Sequence, residues 1–124
     1  MIGVLGLTVL VKARTLEPDP RGYGTHEQLG FAPCYFQKLT GKRCPMCGGT
    51  TAWAQAARGD VLRATDTNLG ATLLFAVVVI GSPWLLWATA RRQPPRNWPT
   101  WRFMLAMASV WLVVVGLDWL RRLI

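Results

Sequence analysis

An uncharged and largely apolar run, LGATLLFAVVVIGSPWLLWATA, occupies residues 69–90 of the chain. As an α-helix at about 1.5 Å per residue it would be roughly 33 Å long, enough to cross a bilayer core of about 30 Å. A buried helix of a small soluble protein would normally have a polar face, which this run lacks. We therefore interpret residues 69–90 as a transmembrane helix, with Asn68 as its N-cap.

A second apolar run occupies residues 101–120 and is joined to the first by a basic, proline-rich loop at residues 91–100. Its tryptophans near both ends are typical of the boundary between membrane and water. Asp118 lies near the end of the run, where it can pair with Arg121 or Arg122 at helical spacing. The two runs together predict a hairpin of two transmembrane helices.

The remaining segments are shorter and less apolar. Residues 1–11 are apolar but reach only about half way across a bilayer, so they are either part of a transmembrane helix or an interfacial anchor. Residues 12–49 form a loop rich in proline and glycine, and residues 50–67 are expected to form two short interfacial helices. The sequence thus predicts a single all-α membrane domain over residues 1–124.

The strongest chemical signal is the sequence CPMC at residues 44–47, which is followed by Gly48 and Gly49. Two thiols at this spacing can hold one tetrahedral ion as half of a zinc site, or they can cycle between dithiol and disulfide. The proline stiffens the turn, and the glycines permit a positive φ behind it. Thr50 or Thr51 is expected to cap the helix that follows. Both chemistries are open at this point.

A third cysteine and the only histidine lie upstream of this turn. His26, Cys34, Cys44 and Cys47 fall within 22 residues and together supply the four ligands of a Cys₃His zinc site. A loop with few apolar side chains of its own needs a cross-link, such as a bound metal ion, to become ordered. Three cysteines can form at most one disulfide, which would leave one thiol over. We therefore predict one zinc ion bound by these four residues.

Two classes of function fit these residues. The first is a structural or partner-docking membrane protein whose cysteine loop folds around zinc. The second is a membrane thiol–disulfide oxidoreductase in which Cys44 and Cys47 cycle between dithiol and disulfide, with Cys34 as a resolving thiol. The chain lacks the βαβ pattern and the second cysteine pair of thioredoxin-like enzymes, and it offers no other catalytic set. The residues therefore favour the zinc-binding module over an enzyme.

The formal net charge of the chain is +8. Its basic residues flank the apolar runs and do not form one stripe, so we expect anionic lipid headgroups as partner, and no nucleic acid. A membrane protein or a second copy of the chain is a further expected partner.

The distribution of Lys and Arg bears on orientation. Ten Lys or Arg lie on the side of the cysteine loop and four on the other. The total favours a cysteine loop on the cytoplasmic face of the membrane, whereas the charge density of the short hairpin loop argues the opposite. Because thiols stay reduced in the cytoplasm, we expect the cysteine loop on the cytoplasmic face.

Several short motifs follow one another ahead of the first apolar run. They are Pro33-Cys34, Leu39-Thr40-Gly41, the CPMCG turn at residues 44–48, Thr50-Thr51, Arg58-Gly59-Asp60 and Asn68. In this order, with a hydrophobic hairpin behind them, they resemble the bacterial family known as domain of unknown function 2752. The chain has Thr51 and Leu69 where the family commonly has Arg and Pro, and the resemblance does not include His26. It implies a small integral membrane protein with important cysteines, and it supplies no reaction.

Overall fold

The computed structural model describes residues 2–92 and 99–124, and these residues form helices and turns without a strand. In chain order the helices are α1 (Ile2–Thr15), a 3₁₀ helix (Thr25–Leu29), α2 (Tyr35–Thr40), α3 (Gly49–Ala57), α4 (Val61–Thr67), α5 (Leu69–Ala90) and α6 (Trp101–Leu123). The prediction of an all-α chain with two helices long and apolar enough to cross a membrane is confirmed.

The two long helices, α5 and α6, form the predicted antiparallel hairpin. Trp111 donates its indole N–H to the Gly70 carbonyl oxygen at 2.9 Å, and the Leu69 N–H donates to Asp118 Oδ2 at 3.3 Å. The N-terminal end of α5 therefore lies beside the C-terminal end of α6. Helix α6 continues beyond the predicted residues 101–120 to Leu123, whereas residues 93–98 of the predicted loop lie outside the described part of the chain.

The rest of the chain covers little of either long helix. Over the most apolar 18 residues of each helix, 22% of α5 and 11% of α6 is buried. A core helix of a soluble protein would be mostly buried, so these helices have the exposure expected of helices that face lipid. Among the exposed apolar side chains are Val77, Ile80, Leu112 and Val113.

Helix α1 lies antiparallel to α5 and also packs against α3. It ends at Thr15, so it runs through the basic residues that close the predicted apolar segment, residues 1–11. Two glycines permit close contact with α5. A Cβ on Gly6 would collide with Ser82 Oγ, and a Cβ on Gly3 would lie 2.7 Å from Leu86 Cγ. The structure thus has a third apolar helix along the hairpin.

The predicted pair of short helices corresponds to α3 and α4. They are separated at Gly59, whose φ is 90°, and the Asp60 side chain caps α4 by accepting the Arg63 N–H at 3.3 Å. Both helices pack on the start of α5. Small side chains permit this close approach, and the resulting core consists of Ala52, Ala56, Ala64 and Ala71 with Trp53 and Phe75 around it.

Gly70→Ala is expected to destabilise the hairpin. The added Cβ would collide with Cγ2 of Val115, whose β-branched side chain has little rotamer freedom in a helix. Such overpacking typically lowers the free energy of unfolding by about 1–3 kcal/mol. Gly116→Ala, where the new methyl group meets open space, is the matched control. Melting temperatures in detergent measure the difference, and equal values for the two variants would contradict this contact.

Candidate metal centre

The three cysteines meet at one end of the hairpin. The sulfur atoms of Cys34, Cys44 and Cys47 all lie within 4.8 Å of one another, and those of Cys44 and Cys47 are 2.9 Å apart. All three are free thiols, of which Cys47 is buried and the other two are half-buried. Three thiols at these distances are close enough to hold one metal ion.

The turn that carries two of these thiols is shaped by its backbone. The Cys47 N–H donates to the Cys44 carbonyl oxygen at 3.1 Å and closes the turn. Gly48 follows with a φ of 84°, and a Cβ at this position would lie 2.6 Å from the Gly22 carbonyl oxygen. Only glycine satisfies both the left-handed conformation and the close backbone contact.

Helix α3 begins directly behind the turn, with Gly48 at its N-cap position. The prediction that Thr50 or Thr51 caps this helix is therefore wrong. Thr51 is fully buried, and its hydroxyl oxygen lies 2.7 Å from the hydroxyl oxygen of Thr25, which also accepts the Asp19 N–H at 3.0 Å. The Thr51 hydroxyl therefore connects α3 to the 3₁₀ helix, which brings the upstream loop beside the cysteines.

Two side chains of the hairpin bind the backbone of the cysteine turn. The carbonyl oxygens of Pro45 and Cys47 each accept a hydrogen bond from the Arg122 guanidinium at 2.9 Å and from the Asn68 amide at 3.2 Å. Arg122 Nε lies 3.0 Å from Asp118 Oδ2, and the two side chains are only 7% and 1% exposed. The turn is thus fixed to the ends of both long helices.

Sequence reasoning found part of this network. It predicted that Asn68 caps α5 and that Asp118 pairs with arginines one turn away, and both predictions are confirmed. It missed the contact of Arg122 with the cysteine turn, which joins residues 75 positions apart in the chain. It also missed Trp119, whose indole N–H donates to the Arg43 carbonyl oxygen at 2.7 Å. The only signal was an aspartate beside arginines at the end of an apolar helix.

Cys34 belongs to a segment that is weakly attached to the rest of the fold. This segment, residues 31–42 with α2 at its centre, is called the α2 arm. Helix α2 has no buried residue and packs against none of the other described helices. The Cys34 sulfur connects the arm to the cysteine turn. The Ala32 carbonyl oxygen, which is 3.1 Å from His26 Nε2, connects the arm to the 3₁₀ helix.

His26 lies near the cysteines without joining their group. It lines the same cavity of about 250 Å³ as the three cysteines, but it is not among the ligand atoms within 4.8 Å of one another. Because the carbonyl oxygen of Ala32 only accepts, His26 Nε2 donates this hydrogen bond, and Nδ1 is the ring nitrogen that remains for a metal ion. The structure therefore brings together three of the four predicted ligands and places the fourth in the same cavity wall.

The environment shifts the pKa of two of the thiols in opposite directions. The Gln37 backbone N–H beside the Cys34 sulfur is the main cause that lowers the pKa of Cys34. Burial raises the pKa of Cys47 to about 12, and the hydrogen bond to Cys44 acts in the same direction. In the metal-free protein the thiolate therefore forms more readily at Cys34 than at Cys47.

This difference predicts the order of thiol alkylation in the metal-free protein. Cys34 is expected to react first with iodoacetamide and Cys47 last, because the thiolate is the nucleophile and Cys47 is also buried. Peptide mass spectrometry after timed alkylation at mildly alkaline pH measures the order. In denaturant the three rates should converge, and a folded protein in which Cys47 reacts first would contradict the prediction.

The comparison with known protein families identifies one match. The sequence model of a protein family of unknown function, DUF2752, matches residues 34–81, which include the three cysteines and Asn68 but not His26. No curated protein and no solved structure gives a significant match to the chain. The predicted resemblance is confirmed: over residues 34–81 the chain is similar to the DUF2752 family, whose function is unknown.

Proposed function

We propose that this protein is a small integral membrane protein that binds one zinc ion at the membrane surface, and that the zinc site has a structural or partner-docking role. The observation that carries the proposal is the meeting of the Cys34, Cys44 and Cys47 sulfurs within 4.8 Å of one another. Sites dominated by cysteine are typical of structural zinc. Zinc content of the protein purified in detergent without chelator tests the proposal.

The donor set fits zinc. With Zn–S bonds of about 2.3 Å, the sulfurs of a tetrahedral site lie about 3.8 Å apart. The 2.9 Å between the Cys44 and Cys47 sulfurs is shorter, so these two would separate by about 1 Å around the ion. His26 is the favoured fourth ligand. Its hydrogen bond to the Ala32 carbonyl oxygen is of the kind that orients metal-binding histidines.

A structural role follows from how unequally the ligands are anchored. Arg122 and Asn68 already fix the cysteine turn, whereas helix α2 packs against none of the other described helices. A metal bound by all three thiols would join this arm to the fixed turn and offset the entropy of ordering it. It would then present the exposed apolar side chains of the arm to a partner in one geometry; these are Phe31, Tyr35, Phe36 and Leu39.

The membrane placement is supported by the length and apolar character of the hairpin and by its low burial. We place the cysteine turn at the cytoplasmic face of the bacterial inner membrane, because the larger number of Lys and Arg lies at this end and thiols stay reduced there. The same basic residues are expected to contact anionic lipid headgroups.

A thiol-labelling experiment tests the hairpin in the membrane. Single cysteines at Arg92, which follows α5, and at Ile124, which follows α6, are introduced into a chain whose native cysteines are replaced by serine. An impermeant maleimide added to intact vesicles is expected to label only one of the two sites, because α6 returns the chain to the other face. Labelling of both sites from the same side would contradict the hairpin.

Thiol–disulfide exchange is the second candidate function, and the 2.9 Å between the Cys44 and Cys47 sulfurs favours it. In this reaction the two thiols form a disulfide and transfer two electrons and two protons to the disulfide of a partner, which becomes a dithiol. The burial of Cys47 opposes this role, because attack requires an accessible thiolate. Alkylation with and without reductant, read by mass, shows whether a disulfide forms reversibly.

A further inference from the structure

An apolar groove runs along α1 and α5 from the cysteine turn toward the middle of the hairpin. The part near the turn has a volume of about 510 Å³ and is bounded by Leu29 and Met46, and the second part, of about 340 Å³, reaches Leu85. Val9 and Trp53 line both parts, so the two adjoin and form a single groove. We call it the α1–α5 groove.

The groove is apolar along its length and positive at one end. It follows α5 from Ala71 to Leu85, a rise of about 21 Å, which exceeds the roughly 15 Å of hydrocarbon in one leaflet. Lys12 is the only charged residue among those that line it, and it lies in the part beside the cysteine turn. None of the ion pairs among the described residues includes Lys12.

We propose that the α1–α5 groove binds a single membrane lipid with an anionic headgroup, whose phosphate pairs with Lys12 and whose acyl chain lies along Val9 and Trp53 toward Leu85. The unpaired ammonium complements the phosphate, and the apolar walls complement the chain. This inference rests on the proposed membrane placement and is independent of zinc.

The charge at the groove favours a lipid over a transmembrane helix of another protein. A partner helix would have to place a carboxylate against Lys12, whereas an anionic lipid carries its charge at the membrane surface, where the proposed placement puts Lys12.

Filling the groove tests the site. Gly81 lines the inner part of the groove and has open space beyond its Cα, so Gly81→Leu adds an isobutyl group there without a clash. Gly116→Leu is the matched control, because Gly116 also faces open space in a long helix but lies on α6, away from the groove. Native mass spectrometry of the full chain in detergent, after incubation with dioleoyl phosphatidylglycerol, counts the retained lipids. Wild type and Gly116→Leu are expected to retain one lipid per chain, and Gly81→Leu none.

Changing the charge tests the headgroup. Lys12→Gln is expected to lower the preference for phosphatidylglycerol over phosphatidylcholine about fivefold, the factor that corresponds to one lysine at an anionic surface. Lys38→Gln removes the same charge from exposed α2 and should leave the preference unchanged. Equal lipid retention by Gly81→Leu and Gly116→Leu would overturn the site. A wild-type protein that retains no lipid and forms a dimer, which Gly81→Leu dissociates, would also overturn it, because a second copy of the chain would then occupy the groove. Resistance of each variant to carbonate extraction reports membrane placement separately.

Discussion

Purified without chelator, the wild-type protein is expected to contain one zinc ion per chain, and Cys44→Ser is expected to contain none. A serine hydroxyl does not ionise near neutral pH, so the substitution removes one of the three sulfurs that lie within 4.8 Å of one another. Metal binding to such sites contributes on the order of 10 kcal/mol, and the loss of a thiolate ligand removes much of it. Elemental analysis by mass spectrometry, normalised to protein, measures the stoichiometry.

Two further variants sharpen this test. Met46→Ala changes an exposed residue inside the turn that offers no thiolate and should leave the zinc content unchanged. His26→Ala should weaken binding without abolishing it, because three sulfurs remain and the fourth position can pass to water. Unchanged affinity in His26→Ala would assign the fourth position to water or a partner residue. A metal-free wild type would remove the zinc proposal altogether.

Arg122→Gln is expected to produce the largest loss of stability outside the cysteines. It removes the donors at 2.9 Å from the Pro45 and Cys47 carbonyl oxygens, and it takes a buried partner from Asp118, whose side chain is 1% exposed. Removing one partner of a buried ion pair typically lowers the free energy of unfolding by about 3–5 kcal/mol. Arg121 stays 2.9 Å from Asp118 and compensates in part, so we expect a loss of about 3 kcal/mol in the free energy of unfolding.

The controls separate the buried network from surface charge. Arg63→Gln breaks an exposed pair with Asp60, so it should change the free energy of unfolding by about 0.5 kcal/mol or less. Arg122→Lys keeps the charge but not the two-pronged donation, so its stability should fall between Arg122→Gln and wild type. Chemical unfolding in detergent and zinc content at limiting zinc are the two readouts. A fully stable Arg122→Gln variant would mean that the turn is fixed by other contacts.

The helices of the hairpin were predictable because their signal is local. An uncharged run of helical length, with Asn68 as N-cap and Asp118 at helical spacing from two arginines, is visible in the sequence alone. The grouping of Cys44 and Cys47 follows likewise from their spacing, and that of Cys34 was a hypothesis based on ligand count. All of these depend on residues a few positions apart or on the number of thiols available.

What the sequence missed depends on tertiary contacts. The hydrogen bonds from Arg122 to the cysteine turn and from Trp119 to Arg43 join residues 75 and 76 positions apart. No periodicity or motif indicates such contacts. The wrong cap assignment at the start of α3 has the same origin, because the Thr51 hydroxyl is bound to Thr25. Helix α1 likewise extends past its apolar segment where it packs against α5.

The contact between Arg122 and the cysteine turn also determines the order in which the protein can assemble. A ribosome releases residues 44–47 long before it has synthesised the end of α6, so the nascent turn meets the bilayer without the guanidinium that fixes it. In the proposed membrane placement, the carbonyl groups of the turn obtain these donors only after α6 has returned to this face. In this placement, completion of the turn is therefore expected to follow insertion of α6, and a chain whose second helix is not inserted is expected to retain an incomplete cysteine site.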